Sequence, residues 1–131
     1  MTDTNDAPAV LILDDDRFLL DMYSAKFLQS GFRVESCSRT DDALALLRGG
    51  YDPVAILIDL VMPDKDGFDF LTAIGAEKLA RRATLIALTN QSNDADRAQA
   101  EKLGANKYVI KATMIPSEVV NMTKDELAKK A

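Results

Sequence analysis

The sequence predicts an α/β fold in which a five-stranded parallel sheet is covered by helices on both faces. Short apolar runs alternate with stretches of helical periodicity along the chain, as expected of repeated strand–helix units. The runs themselves, such as Ile56-Leu57-Ile58, do not alternate apolar with polar residues. Strands buried on both faces have this continuous pattern. We therefore expect a doubly wound sheet built from five βα units.

In the first half of the chain, turn and capping signals separate the predicted elements. These elements are strands at 9–13, 32–37 and 54–59 and helices at 17–29 and 40–48. The first helix stops before Gly31, and the second has Asp41 and Asp42 in its first turn and Gly49-Gly50 after its last, which suits helix ends. Spacings of three and four predict the core-facing residues, namely Leu19, Leu20, Tyr23, Phe27 and Leu28, then Leu44 and Leu47.

The second half repeats the same alternation. Its predicted elements are strands at 84–89 and 107–111 and helices at about 68–79, at 93–103 and from Pro116 onward. Asp64 and Asp66 should shape the turn before the first of these helices, Gly104 should end the second, and Pro116 suits the first turn of the last. The expected inward residues are Phe70, Leu71 and Ile74, then Ala95, Ala98, Ala100 and Leu103, and finally Val119, Val120 and Leu127. Five such units in series predict a flavodoxin-like (βα)5 arrangement.

Length and composition restrict the class of protein. A chain of 131 residues is one domain, and we expect a flexible segment at 1–7 before a domain at 8–131. The net charge of −5 argues against nucleic acid as a direct partner, and no apolar stretch approaches the ~18 residues of a membrane span. Cys37 is the single cysteine, which suits the reducing cytoplasm. The absence of histidine excludes histidine-based catalysis by this chain alone.

Polar side chains stand at the ends of four predicted strands. Asp59 ends the third strand, and Asp14 and Asp15 directly follow the first. Thr89 ends the fourth strand and Lys111 the fifth. Buried strands otherwise avoid a desolvated charge, and the carboxyl ends of parallel strands carry the ligand sites of such sheets. We therefore expect these side chains to form one functional site.

Three carboxylates at one place require compensating positive charge. Two carboxylates about 5 Å apart repel by roughly 3 kcal/mol at an effective dielectric near 20. Lys111 supplies one positive charge, and a divalent cation is the natural second source. Because the site offers only oxygen ligands, Mg²⁺ is expected, with Mn²⁺ as the alternative and Ca²⁺ less suitable. A carboxylate beside a metal, a hydroxyl and a lysine is suited to phosphoryl transfer.

This pattern resembles the receiver domain of bacterial two-component response regulators over about residues 8–128. The matching positions are Asp14-Asp15, Asp59 with Met62-Pro63 and Gly67, Thr89 and Lys111. The resemblance implies that Asp59 is the phosphoacceptor and that Asp15 and Asp59 bind Mg²⁺ directly. It further implies that the backbone carbonyl of Val61 completes the protein ligands and that Asp14 acts largely through a metal-bound water.

The resemblance also implies a signalling role. Thr89 would contact a phosphoryl oxygen, Lys111 would pair with another, and Tyr108 would be the switch aromatic that turns inward when Thr89 moves. The phosphoryl donor would be a histidine of a partner sensor kinase or phosphotransfer protein. The chain would not be a conventional enzyme, although it would catalyse its own phosphorylation and dephosphorylation at Asp59.

Two positions depart from the family pattern. The residue after Lys111 is usually a proline joined by a cis bond, and here it is Ala112. We expect a trans bond, because a cis bond before a non-proline residue costs about 2.5–4 kcal/mol against roughly 0.5–1 before proline. Asn90 follows Thr89 where the family generally has Ala or Gly, and its larger side chain would narrow the approach of the donor histidine. Asp16 is expected to cap the first helix.

The sequence leaves two functional hypotheses. Because the chain ends soon after its fifth helix, we expect a stand-alone receiver that signals to a downstream protein as a monomer or phosphorylation-dependent dimer, using the fourth helix, fifth strand and fifth helix. The alternative is a degenerate receiver acting as a phosphorylation-independent interaction module, which Asn90 and Ala112 favour and the intact acidic set disfavours. A phosphatase of the haloacid dehalogenase type would need an aspartate two positions after Asp59, where Val61 stands.

Overall fold

The computed structural model describes residues 7–62, 66–90 and 93–130. The strands are β1 (Ala9–Leu13), β2 (Arg33–Cys37), β3 (Ala55–Asp59), β4 (Thr84–Thr89) and β5 (Lys107–Ile110), and the helices are α1 (Arg17–Gln29), α2 (Thr40–Arg48), α3 (Gly67–Glu77), α4 (Asp94–Lys102) and α5 (Pro116–Lys130). A short 3₁₀ helix at Lys111–Thr113 connects β5 to α5. Every predicted element is therefore present, with ends within two residues of the expected ones. Most of the segment 1–7 lies outside the described residues, as does Asp64.

The five strands form one parallel sheet in the order β2-β1-β3-β4-β5. β1 pairs with β3 from Val10 opposite Ala55 to Leu13 opposite Ile58, so the two strands end side by side. The chain builds the sheet outward in opposite directions from this pair, and the ligand crevice of an open α/β sheet lies at such a reversal. The predicted flavodoxin-like fold is confirmed.

Two apolar layers cover the two faces of the sheet. On one face, Leu11 and Ile56 of the central strands pack with residues of α2 and α3, including Leu44 and Leu71. On the other face, the alternate strand residues pack with α1 and α5, with Ile12, Leu57, Tyr23, Phe27 and Val119 among the cluster. β1 and β3 are buried along their whole length. Among the described residues, no helix is long and apolar enough to cross a bilayer.

The inward faces of two helices are narrower than predicted. In α1, Leu28 is 57% exposed, because it lies one residue beyond the buried stripe that contains Tyr23 and Phe27. In α4, Ala95 and Ala98 are exposed and only Ala100 is buried. Alanine spacing alone does not show which side of a polar helix faces the sheet, so these three predictions were wrong.

The connection after β5 agrees with the sequence prediction. Every described peptide bond is trans, including the bond from Lys111 to Ala112. The predicted end of α3 at residue 79 is two residues too late, because Lys78 takes a left-handed conformation (φ 57°). Its N–H and that of Leu79 bond to the carbonyls of Gly75 and Ile74, which closes the helix.

Candidate functional site

Three carboxylates meet where β1 and β3 end. Asp14 follows β1 and Asp59 is the last residue of β3, and both are buried, whereas Asp15 is exposed. One carboxylate oxygen from each lies within 4.8 Å of the others. The sheet topology thus brings together the acids that the sequence placed in separate segments.

The loop between β1 and α1 holds Asp14 through a backbone hydrogen bond. The backbone N–H of Asp16 donates to Oδ1 of Asp14 at 2.9 Å. Asp16 caps α1 by accepting from the N–H groups of Phe18 and Leu19 at 3.0 and 3.2 Å, as predicted. Because this cap fixes the chain direction after β1, it also helps to orient Asp14 and Asp15.

The loop after β3 holds Asp59 through a backbone hydrogen bond and a close approach between β3 and α3. The N–H of Val61 donates to Oδ1 of Asp59 at 3.1 Å. A Cβ atom on Gly67 would lie 2.8 Å from Cα of Leu60 and closer still to the carbonyl oxygen of Asp59. Only glycine permits this contact between two backbones, so Gly67 sets the distance from the end of β3 to the first turn of α3.

A capping box starts α3 at the same place. The N–H of Asp69 donates to Oδ1 of Asp66 at 3.0 Å, and the N–H of Asp66 donates back to Oδ2 of Asp69 at 3.1 Å. The sequence indicated only a turn at Asp66, and this reciprocal pair of hydrogen bonds was not predicted. An acid three residues before a second acid was the available signal, although the motif usually has Glu or Gln at the later position.

Lys111 lies inside the acidic cluster. Its side chain is 6% exposed, and its Nζ is 2.7 Å from Oδ2 of Asp14 and 3.4 Å from Oδ2 of Asp59. Burial opposes the charged ammonium, but hydrogen bonding and the charges of both carboxylates outweigh it and raise the pKa of Lys111. The lysine therefore remains a cation that bridges the ends of β1 and β3.

The carboxyl group of Asp59 is poorly compensated by the protein alone. Burial, the charge of Asp14 and a hydrogen bond with Asp15 together raise the pKa of Asp59 to about 7, and Lys111 offsets only part of this rise. A further positive charge would restore the carboxylate form. The three acids fit a hard divalent cation such as Mg²⁺, because they are close together and offer only oxygen ligands.

The remaining predicted residues lie at or near this end of the sheet. Thr89 is buried at the end of β4, next to the end of β3. Val61 follows Asp59 by two residues, and its side chain is 62% exposed. Tyr108 on β5 is half-buried, and the guanidinium carbon of Arg97 on α4 lies 4.7 Å from the centre of its ring. Tyr108 thus contacts the helix that the switch hypothesis expects to move.

Exposed apolar side chains lie at the carboxyl end of the sheet, and their exposure was not predicted from the sequence. Phe18 in the first turn of α1 is 73% exposed, and Ile115 immediately before α5 is 62% exposed. Both belong to segments that begin at the carboxyl end of the sheet, as does the exposed Val61. Large apolar residues outside the helical stripe were the available signal, because nothing in the core requires them there.

Comparison with known proteins identifies the family. Residues 10–123 match the family model described as the response regulator receiver domain. The chain therefore belongs to the response regulator receiver family, as the sequence pattern indicated.

Individual relatives and structures agree with this assignment. The chain is 33% identical over 101 residues to the transcriptional regulatory protein GltR of Pseudomonas aeruginosa, covering 77% of this chain and 41% of that protein. It is 30% identical over 111 residues to the response regulator SaeR of Staphylococcus aureus, covering 85% of this chain and 46% of that protein. The chain thus spans less than half of the length of these curated relatives.

Solved structures share the fold at lower identity. The chemotaxis protein CheY4 of Vibrio cholerae superposes with a TM-score of 0.84 at 22% identity, covering 91% of this chain and 98% of that one. A CheY-like receiver domain protein from Methanospirillum hungatei gives a TM-score of 0.86 at 22% identity, covering 95% and 96%.

Proposed function

We propose that this chain accepts a phosphoryl group on Asp59 from a histidine of a partner kinase or phosphotransfer protein and passes the signal on through protein–protein contact. One observation carries the proposal. The buried carboxylates of Asp14 and Asp59 lie side by side, bridged by the ammonium of Lys111, at the point where the strand order reverses. A structural aspartate would not need a second buried acid beside it.

The chemistry follows from the groups around Asp59. A carboxylate oxygen of Asp59 attacks phosphorus, the bond from phosphorus to the donor nitrogen breaks, and an acyl phosphate forms on the aspartate. Mg²⁺, when held by Asp14, Asp15, Asp59 and the carbonyl of Val61, would supply positive charge to the transferring group. Lys111 is close enough to Asp59 to pair with a phosphoryl oxygen, and Thr89 would donate a hydrogen bond to another.

The surroundings of the site suit a protein donor. Exposed Phe18 lies in the first turn of α1, and exposed Ile115 lies immediately before α5, the helix that packs against α1. Val61 is exposed two residues after Asp59. Exposed apolar residues around a polar centre are typical of protein contact surfaces. A cytoplasmic location fits such a donor and fits Cys37, which is a free buried thiol.

Signal output would use α4, β5 and α5. The acyl phosphate would draw Thr89 toward the site, open space for Tyr108 and change the position of α4. α4 suits this role because Ala100 is its single buried residue. A partner or a second copy of the chain would then bind the altered surface.

Phosphorylation with a small-molecule donor tests the proposal. With acetyl phosphate and Mg²⁺, the intact protein should gain one phosphoryl mass and lose this gain when Asp59 is changed to Asn. Asp21→Asn, at an exposed position of α1, is the matched control and should be modified normally. Unchanged uptake by Asp59→Asn would remove Asp59 from its role. A wild-type chain that binds its partner but takes up no phosphoryl group would support the phosphorylation-independent module.

Hydrogen exchange with and without beryllofluoride tests the output step. Amides of α4 and β5 should change their protection when the phosphoryl analogue binds, whereas those of α3 should stay constant. Equal protection of residues 93–108 in both states would contradict the switch while leaving phosphorylation at Asp59 intact.

A further inference from the structure

A cavity lies at the opposite end of the sheet from Asp59. Its volume is about 350 Å³, and it lies between the carboxyl ends of α3 and α4 and the starts of β4 and β5. Its lining includes Lys78, Arg81, Lys130, Leu79, Leu85 and Leu103. The volume is at the lower end of the ~300–1,000 Å³ range of small-molecule sites. We call it the α3–α4 cavity.

The cavity has an excess of positive charge. Lys78, Arg81 and Lys130 line it, and none of the described lining residues has an acidic side chain. Within the described part of the chain, none of the three forms an ion pair with a carboxylate; Lys130 donates only to the carbonyl oxygen of Arg82, at 3.1 Å. Nearby Arg48, by contrast, pairs with Glu77 at 2.6 Å. Three cations around one cavity give a local excess of positive charge in a chain whose net charge is −5.

The rest of the lining is apolar, with one free amide donor. Leu79, Leu85 and Leu103 are half-buried around the cavity. Oδ1 of Asn106 accepts a hydrogen bond from the N–H of Leu85 at 2.8 Å, so the NH₂ group of its amide has no partner among the described residues. Such a lining can bind an aliphatic group and a hydrogen-bond acceptor at once.

The backbone at one side of the cavity is held in an unusual conformation. Lys78 and Ala80 have φ values of 57° and 50°. These values lie in the left-handed region, which residues other than glycine rarely adopt. Lys78 takes this conformation where it closes α3, and Ala80 follows two residues later on the way to β4. Here they direct the chain around the cavity between α3 and β4.

We propose that the α3–α4 cavity binds a small amphipathic anion, in which one phosphate or carboxylate group contacts Lys78, Arg81 and Lys130 and a short aliphatic group covers the leucines. The unpaired cations select for negative charge, and the leucines select for an aliphatic body. No aromatic side chain is among the described residues that line the cavity, so a flat stacking ligand is not favoured. This proposal does not depend on phosphorylation of Asp59.

Titration with hexyl phosphate tests the proposal, with inorganic phosphate and hexanol as comparison compounds. Binding is followed by the amide NMR shifts of residues 74–85 and 103–106. Hexyl phosphate should bind saturably and about tenfold or more tightly than either comparison compound, because only it satisfies both parts of the cavity. Absence of saturable binding, or equal affinity for inorganic phosphate, would overturn the proposal.

Variants separate the cavity from simple attraction between surface charges. Gly75→Leu keeps all three cations, and its new side chain would extend from a lining position that has no atoms within 4 Å of a Cβ. It should weaken hexyl phosphate binding about tenfold, as should Arg81→Gln. Lys26→Gln, at an exposed position of α1, is the matched control and should bind normally. Unchanged binding of hexyl phosphate by Gly75→Leu would show that the cavity is not the binding site. Urea denaturation of each variant checks that it is folded.

Discussion

The β3–α3 and β4–α4 units have the same order of elements but differ in how their helices are attached. α3 buries the side chains of Phe70, Leu71 and Ile74 and starts at a capping box. α4 buries only Ala100, and Leu103 just after it is half-buried. Because burial contributes roughly 25 cal/mol per Å² of apolar area, α3 is held far more strongly against the sheet than α4.

The two units also carry different parts of the candidate site. β3 ends in Asp59, whose position is fixed by the contact between Gly67 and Leu60. β4 ends in Thr89, and the helix that follows can move at a low cost in buried area. α4 is nevertheless a well-formed helix, capped by Asn93, which accepts from the N–H of Asp96 at 3.1 Å. A helix can therefore be locally stable and still be weakly attached to its sheet.

The prediction with the greatest effect is a difference in stability between one truncation in α3 and one directly after α4. Phe70→Ala should lower the free energy of unfolding by about 3–5 kcal/mol, because it removes a fully buried ring. Leu103→Ala should cost only about 1 kcal/mol, because its side chain is half-buried. Urea denaturation measures both, and equal losses would show that α4 is attached as firmly as α3.

The next effect concerns the charge at the end of β3. Asp59→Asn should stabilise the metal-free protein at pH 8 by on the order of 3 kcal/mol, because the pKa of Asp59 in the folded chain is about 7, well above its ordinary value of 3.8. Between pH 3.8 and about 7, the carboxyl group of Asp59 keeps its proton in the folded state but has lost it in the unfolded state. The wild type therefore loses stability as pH rises from about 4 to 7, and the variant lacks this loss.

Thermal melts from pH 4 to 8 measure this difference. The difference in stability between Asp59→Asn and the wild type should be close to zero at pH 4 and reach its full size above pH 7. Mg²⁺ should raise the melting temperature of the wild type more than that of Asp59→Asn. A difference between the two proteins that does not change with pH would contradict the electrostatic origin of the effect.

A smaller effect separates the two glycines of α3. Gly67→Ala should cost about 2 kcal/mol, because its Cβ would overlap the backbone of Asp59 and Leu60. Gly75→Ala, in the same helix with open space around its Cβ, should instead stabilise the protein by roughly 0.5–1 kcal/mol. Equal effects in urea denaturation would mean that the contact between β3 and α3 does not require glycine.

The smallest effect tests the contact between α4 and β5. Arg97→Gln removes the cation over the ring of Tyr108 and should lower the free energy of local opening of α4 by about 0.5–1 kcal/mol. Lys102→Gln, at an exposed position in the same helix, should have no such effect. Hydrogen exchange of the α4 amides reports the opening, and identical rates in both variants would remove Arg97 as an anchor.

The sequence predicted much of the site because its signals are local. Asp59 and Thr89 end apolar runs, and Asp16 stands directly before a helical pattern, so their places followed from neighbouring residues. The preference of Lys111 for Asp14, at 2.7 Å against 3.4 Å for Asp59, could not be predicted. It depends on side-chain positions from three strands that are distant in the chain.

The order of the elements, the family and the residues at the carboxyl end of the sheet could be read from the amino-acid sequence. These follow from periodicity, caps and strand ends, which each depend on a few neighbouring residues. The sequence could not show which alanine of α4 faces the sheet, that Phe18 and Ile115 are exposed, or where the α3–α4 cavity forms. Each of these depends on how close separate segments come in space, and that distance is set by the packing of the whole domain.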